Sequence, residues 1–101
     1  MDILENLKNY DRYYKKHVLK RMVERNIDFE SIDQVLQKGR VIKNYPDDEP
    51  CPSCLILGFD ENEKPLHVVV SLDDKLKRTY LITVYRPDQR IWSENYDERQ
   101  S

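Results

Sequence analysis

Four apolar segments follow Gly39, and the short connections between them constrain the fold more than any other feature. The segments span residues 41–45, 54–59, 66–72 and 79–86, and each is bounded by proline, glycine or acidic residues. Parallel neighbours in a sheet need a crossover of about a dozen residues or more, whereas antiparallel neighbours need only a short turn. The sequence therefore predicts a four-stranded antiparallel meander.

Two helices are expected before the sheet. The first is predicted at about residues 10–25, because Tyr14, Val18 and Met22 recur at i, i+4 and i+8. The second is predicted between Asp28, which suits the N-cap, and Gly39, which suits a left-handed C-terminal position. Residues 1–9 are expected as an extra helical turn or an arm. Residues 88–101 are expected as a tail that folds back or contacts a partner. The prediction is one α+β domain over 1–101, with two N-terminal helices packed on the sheet.

The alternation of side chains along the strands predicts which face the helices cover. His67 and Val69 point to one side of their strand, and Val68 and Val70 to the other. The helices should cover the more apolar side, formed by Val68, Val70, Ile82 and Val84. His67, Thr83 and Tyr85 should then lie on the open side or near its edge.

The charges are segregated along a chain whose net charge is −2. Residues 10–25 carry net +4, residues 46–76 net −6 and residues 77–92 net +3. Such segregation can create a positive face on an acidic protein, although a solvated charged helix gives the same pattern. No apolar run approaches the ~20 residues of a membrane span, and the first residues lack the features of a signal peptide. We therefore expect a cytoplasmic protein without a membrane partner.

A basic stripe on the first helix, formed by His17, Arg21 and Arg25, is the first candidate site. Residues at this spacing lie on one side of a helix. An imidazole can move a proton near neutral pH and a guanidinium can bind phosphate, which together suit phosphodiester cleavage. The alternative, which the spacing alone favours, is a solvent-facing stripe with Arg25 bridged to Glu24 or Asp28.

The second candidate is His67 with Thr83 and Tyr85 on the open side of the sheet. A histidine among apolar strand residues is costly if it is buried without a partner. The alternative is a structural histidine bonded to a neighbouring strand.

The third candidate is the pair Cys51 and Cys54, which would supply half of a zinc site. Only His17 and His67 could complete it. We expect instead that Cys51 lies in a loop, that Cys54 is buried, and that the protein uses no metal or cofactor.

The chain resembles the bacterial domain-of-unknown-function 4258 family. The residues that carry the resemblance are 14–27, 35–39, 54–58, 65–70 and 82–87. The family is grouped with the barnase–EndoU–colicin–RelE fold, whose members are mostly metal-independent ribonucleases. Its genes resemble toxin genes that lie beside an antitoxin with a zinc finger and a helix-turn-helix.

The resemblance implies a RelE/barnase-like fold and an active surface that contains His17, Arg21, His67, Thr83 and Tyr85. Arg25, Lys20 and Arg86 are expected to bind the substrate. The leading hypothesis is an endoribonuclease toxin in which a 2′-hydroxyl attacks the adjacent phosphate. One histidine would act as base and the other as acid, Arg21 would stabilise the charge on phosphorus, and Tyr85 or Thr83 would orient the phosphate. The alternatives are a non-catalytic RNA- or protein-binding module and a zinc-dependent module.

Overall fold

The computed structural model of the protein describes Leu7 and residues 9–99. The expectation for residues 1–9 therefore lies mostly outside the described residues. From residue 11 to residue 85, two helices and five strands follow one another as β1 (Asp11–Tyr14), α1 (Lys16–Arg25), α2 (Phe29–Lys38), β2 (Arg40–Tyr45), β3 (Ser53–Phe59), β4 (Pro65–Asp73) and β5 (Arg78–Tyr85). The α+β class, the two helices and the four predicted strands are confirmed.

The prediction of a wholly antiparallel, four-stranded sheet is wrong. The sheet has five strands in the order β1-β5-β4-β3-β2, and β1 runs parallel to β5, with Asp11 opposite Arg78 and Tyr14 opposite Leu81. The other neighbours are antiparallel, as expected. Strand β1 can pair in parallel with β5 because residues 15–77 form the long connection that parallel neighbours require.

The first helix begins at Lys16, so its predicted start at residue 10 is wrong. Tyr14 fits the helical spacing of Val18 and Met22, but it belongs to a strand whose exposure alternates from residue to residue. Tyrosines at 13 and 14 favour extended structure, since aromatic side chains pack well on a pleated surface. The period of two was hidden because the segment is only four residues long.

The ends of the helices are determined by local chemistry. The predicted Asp28 cap is confirmed, because its carboxylate accepts a hydrogen bond from the Ser31 amide at 2.8 Å. The left-handed conformation predicted at Gly39 is wrong, since Gly39 is extended, with φ −75° and ψ −177°. A left-handed residue instead ends α1, at Asn26 with φ 54°.

Both helices pack on one side of the sheet, and a β-bulge decides which residues of β5 face them. Val69 lies opposite Thr83 but Val70 lies opposite Leu81, so Ile82 has no partner across the pair. Leu81 is consequently buried in the core, and the predicted place of Ile82 beneath the helices is wrong. The buried core cluster comprises Leu7, Val18, Met22, Ile27, Ile32, Val35, Leu36, Cys54, Ile56, Leu66, Val68, Val70, Leu72, Leu81 and Val84.

No helix within the described part of the chain is long and apolar enough to cross a membrane.

Helix α2 lies very close to the sheet at Gly58 in β3. A Cβ atom at this position would lie 2.8 Å from Val35 Cγ2 and 2.9 Å from Val35 Cα. We expect Gly58→Ala to lower the free energy of unfolding by about 1–3 kcal/mol, because α2 would have to move away from the sheet. Chemical denaturation monitored by circular dichroism measures this. The exposed neighbour Lys64 provides the control, since Lys64→Ala should change stability by less than about 0.5 kcal/mol. Equal effects of the two changes would contradict this role of Gly58.

Candidate functional site

The side of the sheet opposite the helices, here called the open face, carries most of the predicted site residues. Register places His67 opposite Tyr85 and Val69 opposite Thr83 on this face. Residues 87–99, here called the C-terminal segment, fold back over one end of it. The Trp92 ring lies edge-on to the His67 ring, with 4.4 Å between ring centroids. Of the two expectations for the tail, the structure shows the one in which it folds back.

His67 is fully buried, with 0% of its surface exposed, and both ring nitrogens are bonded within the protein. Nε2 donates to the Tyr96 carbonyl oxygen at 2.8 Å. Because a carbonyl only accepts, Nδ1 carries no proton in the neutral ring and accepts from the Tyr85 hydroxyl at 3.1 Å. Burial lowers the pKa of His67, and the bond to Tyr96 opposes this only in part. The ring is therefore neutral at physiological pH and shielded from solvent.

His17 lies in a different environment, at the edge of β5. Strand β1 ends at Tyr14, opposite Leu81, so the carbonyl groups of Ile82 and Val84 lie beyond the parallel pairing. His17 Nε2 donates to the Ile82 oxygen at 2.8 Å, and Arg25 Nη1 donates to the Val84 oxygen at 2.8 Å. The basic stripe thus runs along the unpaired half of β5. Arg25 takes neither Glu24 nor Asp28 as its partner, in contrast to the alternative considered from the sequence.

The remaining predicted residues differ in how available they are. Arg21 is exposed and forms an ion pair with Glu24 at 3.0 Å. Lys20 is exposed on α1, and Thr83 is partly exposed on β5. Arg86 lies 3.0 Å from the buried carboxylate of Asp60 and also donates to the Pro65 oxygen. Its guanidinium therefore holds the β3–β4 turn against the end of β5.

The two histidines do not come together within the described residues. His67 lies beneath the C-terminal segment, whereas His17 lies at the strand edge with its exposed ring bonded to Ile82. An acid–base pair formed by His17 and His67 is not assembled in this arrangement.

Asp60 shows how the charged turn is stabilised. Burial raises its pKa, but hydrogen bonds from the Lys64 and Asn62 amides and the neighbouring Arg86 guanidinium hold it below the usual value. The carboxylate is therefore ionised and fully partnered, as a buried charge requires.

A cleft of about 590 Å³ occupies the part of the open face that the C-terminal segment leaves uncovered. The β2–β3 loop borders it. The lining residues are Lys15, Tyr45, Asp48, Glu49, Pro50, Cys51, Ser53, Val69, Ser71, Tyr80 and Ile82. Sequence reasoning missed this cleft because it placed Ile82 on the side of the sheet that the helices cover. The sequence signal for it is the alternation of Tyr80 with Ile82 on the side opposite Leu81.

The cysteines lie on opposite sides of the sheet. Cys54 packs in the core, where burial raises its pKa to about 11, and Cys51 lines the cleft. The expected positions of both cysteines are confirmed. Within Leu7 and residues 9–99, no three potential ligands of the His, Cys, Asp or Glu type lie together as a metal site.

The lowered pKa of His67 predicts a loss of stability in mild acid. The unfolded chain binds a proton on this ring near pH 6.5, whereas the folded protein binds it only at lower pH. The free energy of unfolding should therefore fall as the pH drops from about 7.5 to 5.5. His67→Gln should remove most of this dependence, and His17→Gln should keep it because His67 remains in place. Urea denaturation at each pH measures the effect, and an unchanged profile in His67→Gln would refute it.

Comparison with known proteins identifies the family of this chain. A search of curated proteins and a search of solved structures returned no match to this chain. A family model described as Domain of unknown function (DUF4258) matches residues 14–86, which is more than half of the chain. The protein therefore belongs to the DUF4258 family.

Proposed function

We propose that this protein is a metal-independent endoribonuclease in which His17 moves the proton. The observation that carries the proposal is the bonding of the exposed His17 ring. Its Nε2–H is held by the Ile82 carbonyl, and Nδ1 makes no hydrogen bond among the described residues. A backbone carbonyl that fixes one ring nitrogen as the donor leaves the other as the basic atom. An oriented, solvent-accessible imidazole of this kind is suited to act as a general base.

In the proposed reaction, His17 Nδ1 accepts the proton of an RNA 2′-hydroxyl as that oxygen attacks the adjacent phosphorus. Arg21 lies one helical turn further along α1 and supplies positive charge to the phosphate oxygens. Its present partner Glu24 is exposed, and an exposed ion pair of this kind is worth only about 0–1 kcal/mol, so a phosphate can replace it. The leaving 5′-oxygen takes a proton from solvent, since His67 is out of reach.

Other predicted residues have supporting parts in this proposal. Lys20 adds positive charge on the exposed side of α1, and the Thr83 hydroxyl faces the open side, where it can donate to phosphate. Tyr85 and His67 are hydrogen-bonded to each other, and His67 is also hydrogen-bonded to the C-terminal segment. They position the open face and do not touch the reacting atoms.

The aromatic side chains of the open face and its margin support single-stranded RNA as the substrate. The rings of Tyr13 and Tyr80 lie 5.8 Å apart, and the Arg78 guanidinium lies 4.8 Å from the centre of the Tyr13 ring. Lys43 lies over the ring of Tyr45 at 5.5 Å. Tyrosine rings bordered by cations are typical of surfaces on which unpaired bases stack.

The resemblance to the barnase–EndoU–colicin–RelE fold extends the proposal. Two helices on one face of a largely antiparallel sheet, with the opposite face open, are compatible with that fold. We propose that the ribonuclease is the toxin of a toxin–antitoxin pair. Its partner would be a cognate antitoxin of the zinc-finger and helix-turn-helix type.

A second candidate function, a protein-binding module, is favoured by an apolar patch on the helices. Val23 is 84% exposed and Phe29 55% exposed, and Leu19 and Ile27 line the same shallow groove. Exposed apolar residues that cluster in this way are typical of protein interfaces. The patch lies across the sheet from the cleft, so a protein bound there would leave the cleft open.

The decisive test of catalysis is the change His17→Ala. We expect the rate of RNA cleavage to fall by about 10²–10⁴-fold, the usual contribution of a general base. The fold should persist, because the change removes one hydrogen bond worth about 0.5–1.5 kcal/mol. Cleavage of a labelled RNA in EDTA, followed on gels, measures the rate. Lys38→Ala, an exposed change at the end of α2, is the control that should keep full activity. Undiminished cleavage by His17→Ala would exclude the proposed mechanism.

The toxin proposal has its own test in living cells. Induced expression of the wild-type chain in bacteria should arrest growth and degrade cellular RNA, whereas His17→Ala should do neither at equal protein level. Growth curves and RNA integrity measure this. Normal growth with the wild type present and folded would contradict the toxin proposal and favour the binding module.

A further inference from the structure

We propose that the cleft binds one unstacked nucleobase that carries an exocyclic amino group, and that it discriminates against uracil. This inference rests on the proposed function, because it takes RNA to be the ligand. It adds a base-reading site, built from residues outside the basic stripe, to the site of cleavage.

The shape of the cleft suits a flat ring. Its volume of about 590 Å³ is within the range of small-molecule sites and leaves room for a base with its ribose. Val69 and Ile82 form an apolar floor from the open face, and Tyr45 and Tyr80 contribute aromatic walls. Stacking on aromatic and apolar side chains is how proteins hold bases removed from a nucleic acid stack.

The polar groups on the side of the cleft next to the β2–β3 loop are biased towards accepting hydrogen bonds. The Ser53 hydroxyl donates to the Asp48 carboxylate, and the Ser71 hydroxyl donates to the Cys51 and Pro52 carbonyl oxygens at 3.3 and 3.2 Å. Both hydroxyl protons are therefore used within the protein, and the free lone pairs can only accept. The carboxylate of Glu49 likewise accepts and does not donate.

An acceptor-rich wall selects a ligand edge that donates. Cytosine presents an amino group at the position where uracil presents a carbonyl oxygen, and carboxylates pair with that amino group. Uracil would direct its oxygen at the carboxylates of Asp48 and Glu49, so the two pyrimidines should bind very differently. The same acids oppose a phosphate at the loop and favour the base edge there.

Lys15 provides the cation that a nucleotide needs at the opposite margin of the cleft. It lines the cleft and lies two residues before His17, while Ile82 lines the cleft and binds His17 through its carbonyl. When a base is bound in the cleft, the phosphate of the same nucleotide therefore lies towards Lys15 and His17. The geometry links the identity of one base to the cleavage of a neighbouring bond.

The experiment compares two 2′-O-methyl hexanucleotides, all cytosine and all uracil, which lack the attacking hydroxyl and cannot be cleaved by the proposed reaction. Fluorescence anisotropy at fixed low salt gives their dissociation constants for the full chain. We expect the cytosine oligomer to bind about tenfold more tightly or better. Glu49→Gln should reduce this ratio several-fold, because the amide can donate to the uracil oxygen. Glu61→Gln, in the exposed β3–β4 turn, should leave the ratio unchanged.

The outcomes separate this inference from the proposed function. Equal binding of the two oligomers by the wild type, or a ratio that Glu49→Gln does not change, would overturn the base-reading cleft even if unmodified RNA is cleaved. A cytosine preference that depends on Glu49 supports the cleft. If unmodified RNA then stays intact, the cleft stands as a binding site and only the proposed catalysis fails.

Discussion

Strand β5 is hydrogen-bonded to β4 along its length but to β1 only along its first half, and the position of α1 depends on this difference. Backbone carbonyl groups at the edge of a packed structure need donors. The donors for Ile82 and Val84 are the side chains of His17 and Arg25, which reach down from the helix. An uncovered strand edge would also offer a template for pairing with another chain. The histidine proposed to move the proton is thus positioned by the requirement to cover an edge.

The elements were predictable where sequence and local chemistry agree. Asp28 begins a helix because its side chain satisfies an amide, and the strands of the meander follow from apolar segments with short turns. Strand β1 was not predictable in this way, since its four residues fit a helical spacing and its partner lies at the other end of the chain. The bulge at Ile82 was equally hidden, because nothing in the local sequence specifies which residue of a strand is left unpaired.

The candidate site was partly predictable from sequence. The spacing of His17, Arg21 and Arg25 correctly placed them on one side of a helix, and alternation placed His67 and Tyr85 on the same face of the sheet. The strand register, which the sequence does not specify, brings the two side chains into contact. The complete burial of His67 could not be predicted from sequence, since it depends on the C-terminal segment, whose sequence has no clear helical or strand periodicity. Only the folded chain shows that Trp92 and Tyr96 enclose the ring. The cleft could not be predicted, because it forms only where the β2–β3 loop lies beside the bulge of β5. These two features come from separate segments of the sequence.

The parallel pairing of β1 with β5 has a consequence for how the protein matures during synthesis. Residues 11–14 leave the ribosome early, yet their partners at 78–81 are synthesised only after both helices and strands β2 to β4. Contacts between distant parts of a chain form slowly, because the loop between them must close first. The sheet edge that positions His17 therefore cannot form until β5 has been synthesised and has left the ribosome. Under the proposed function, a nascent chain whose β5 has not yet left the ribosome lacks the strand that orients His17 and cannot attack RNA.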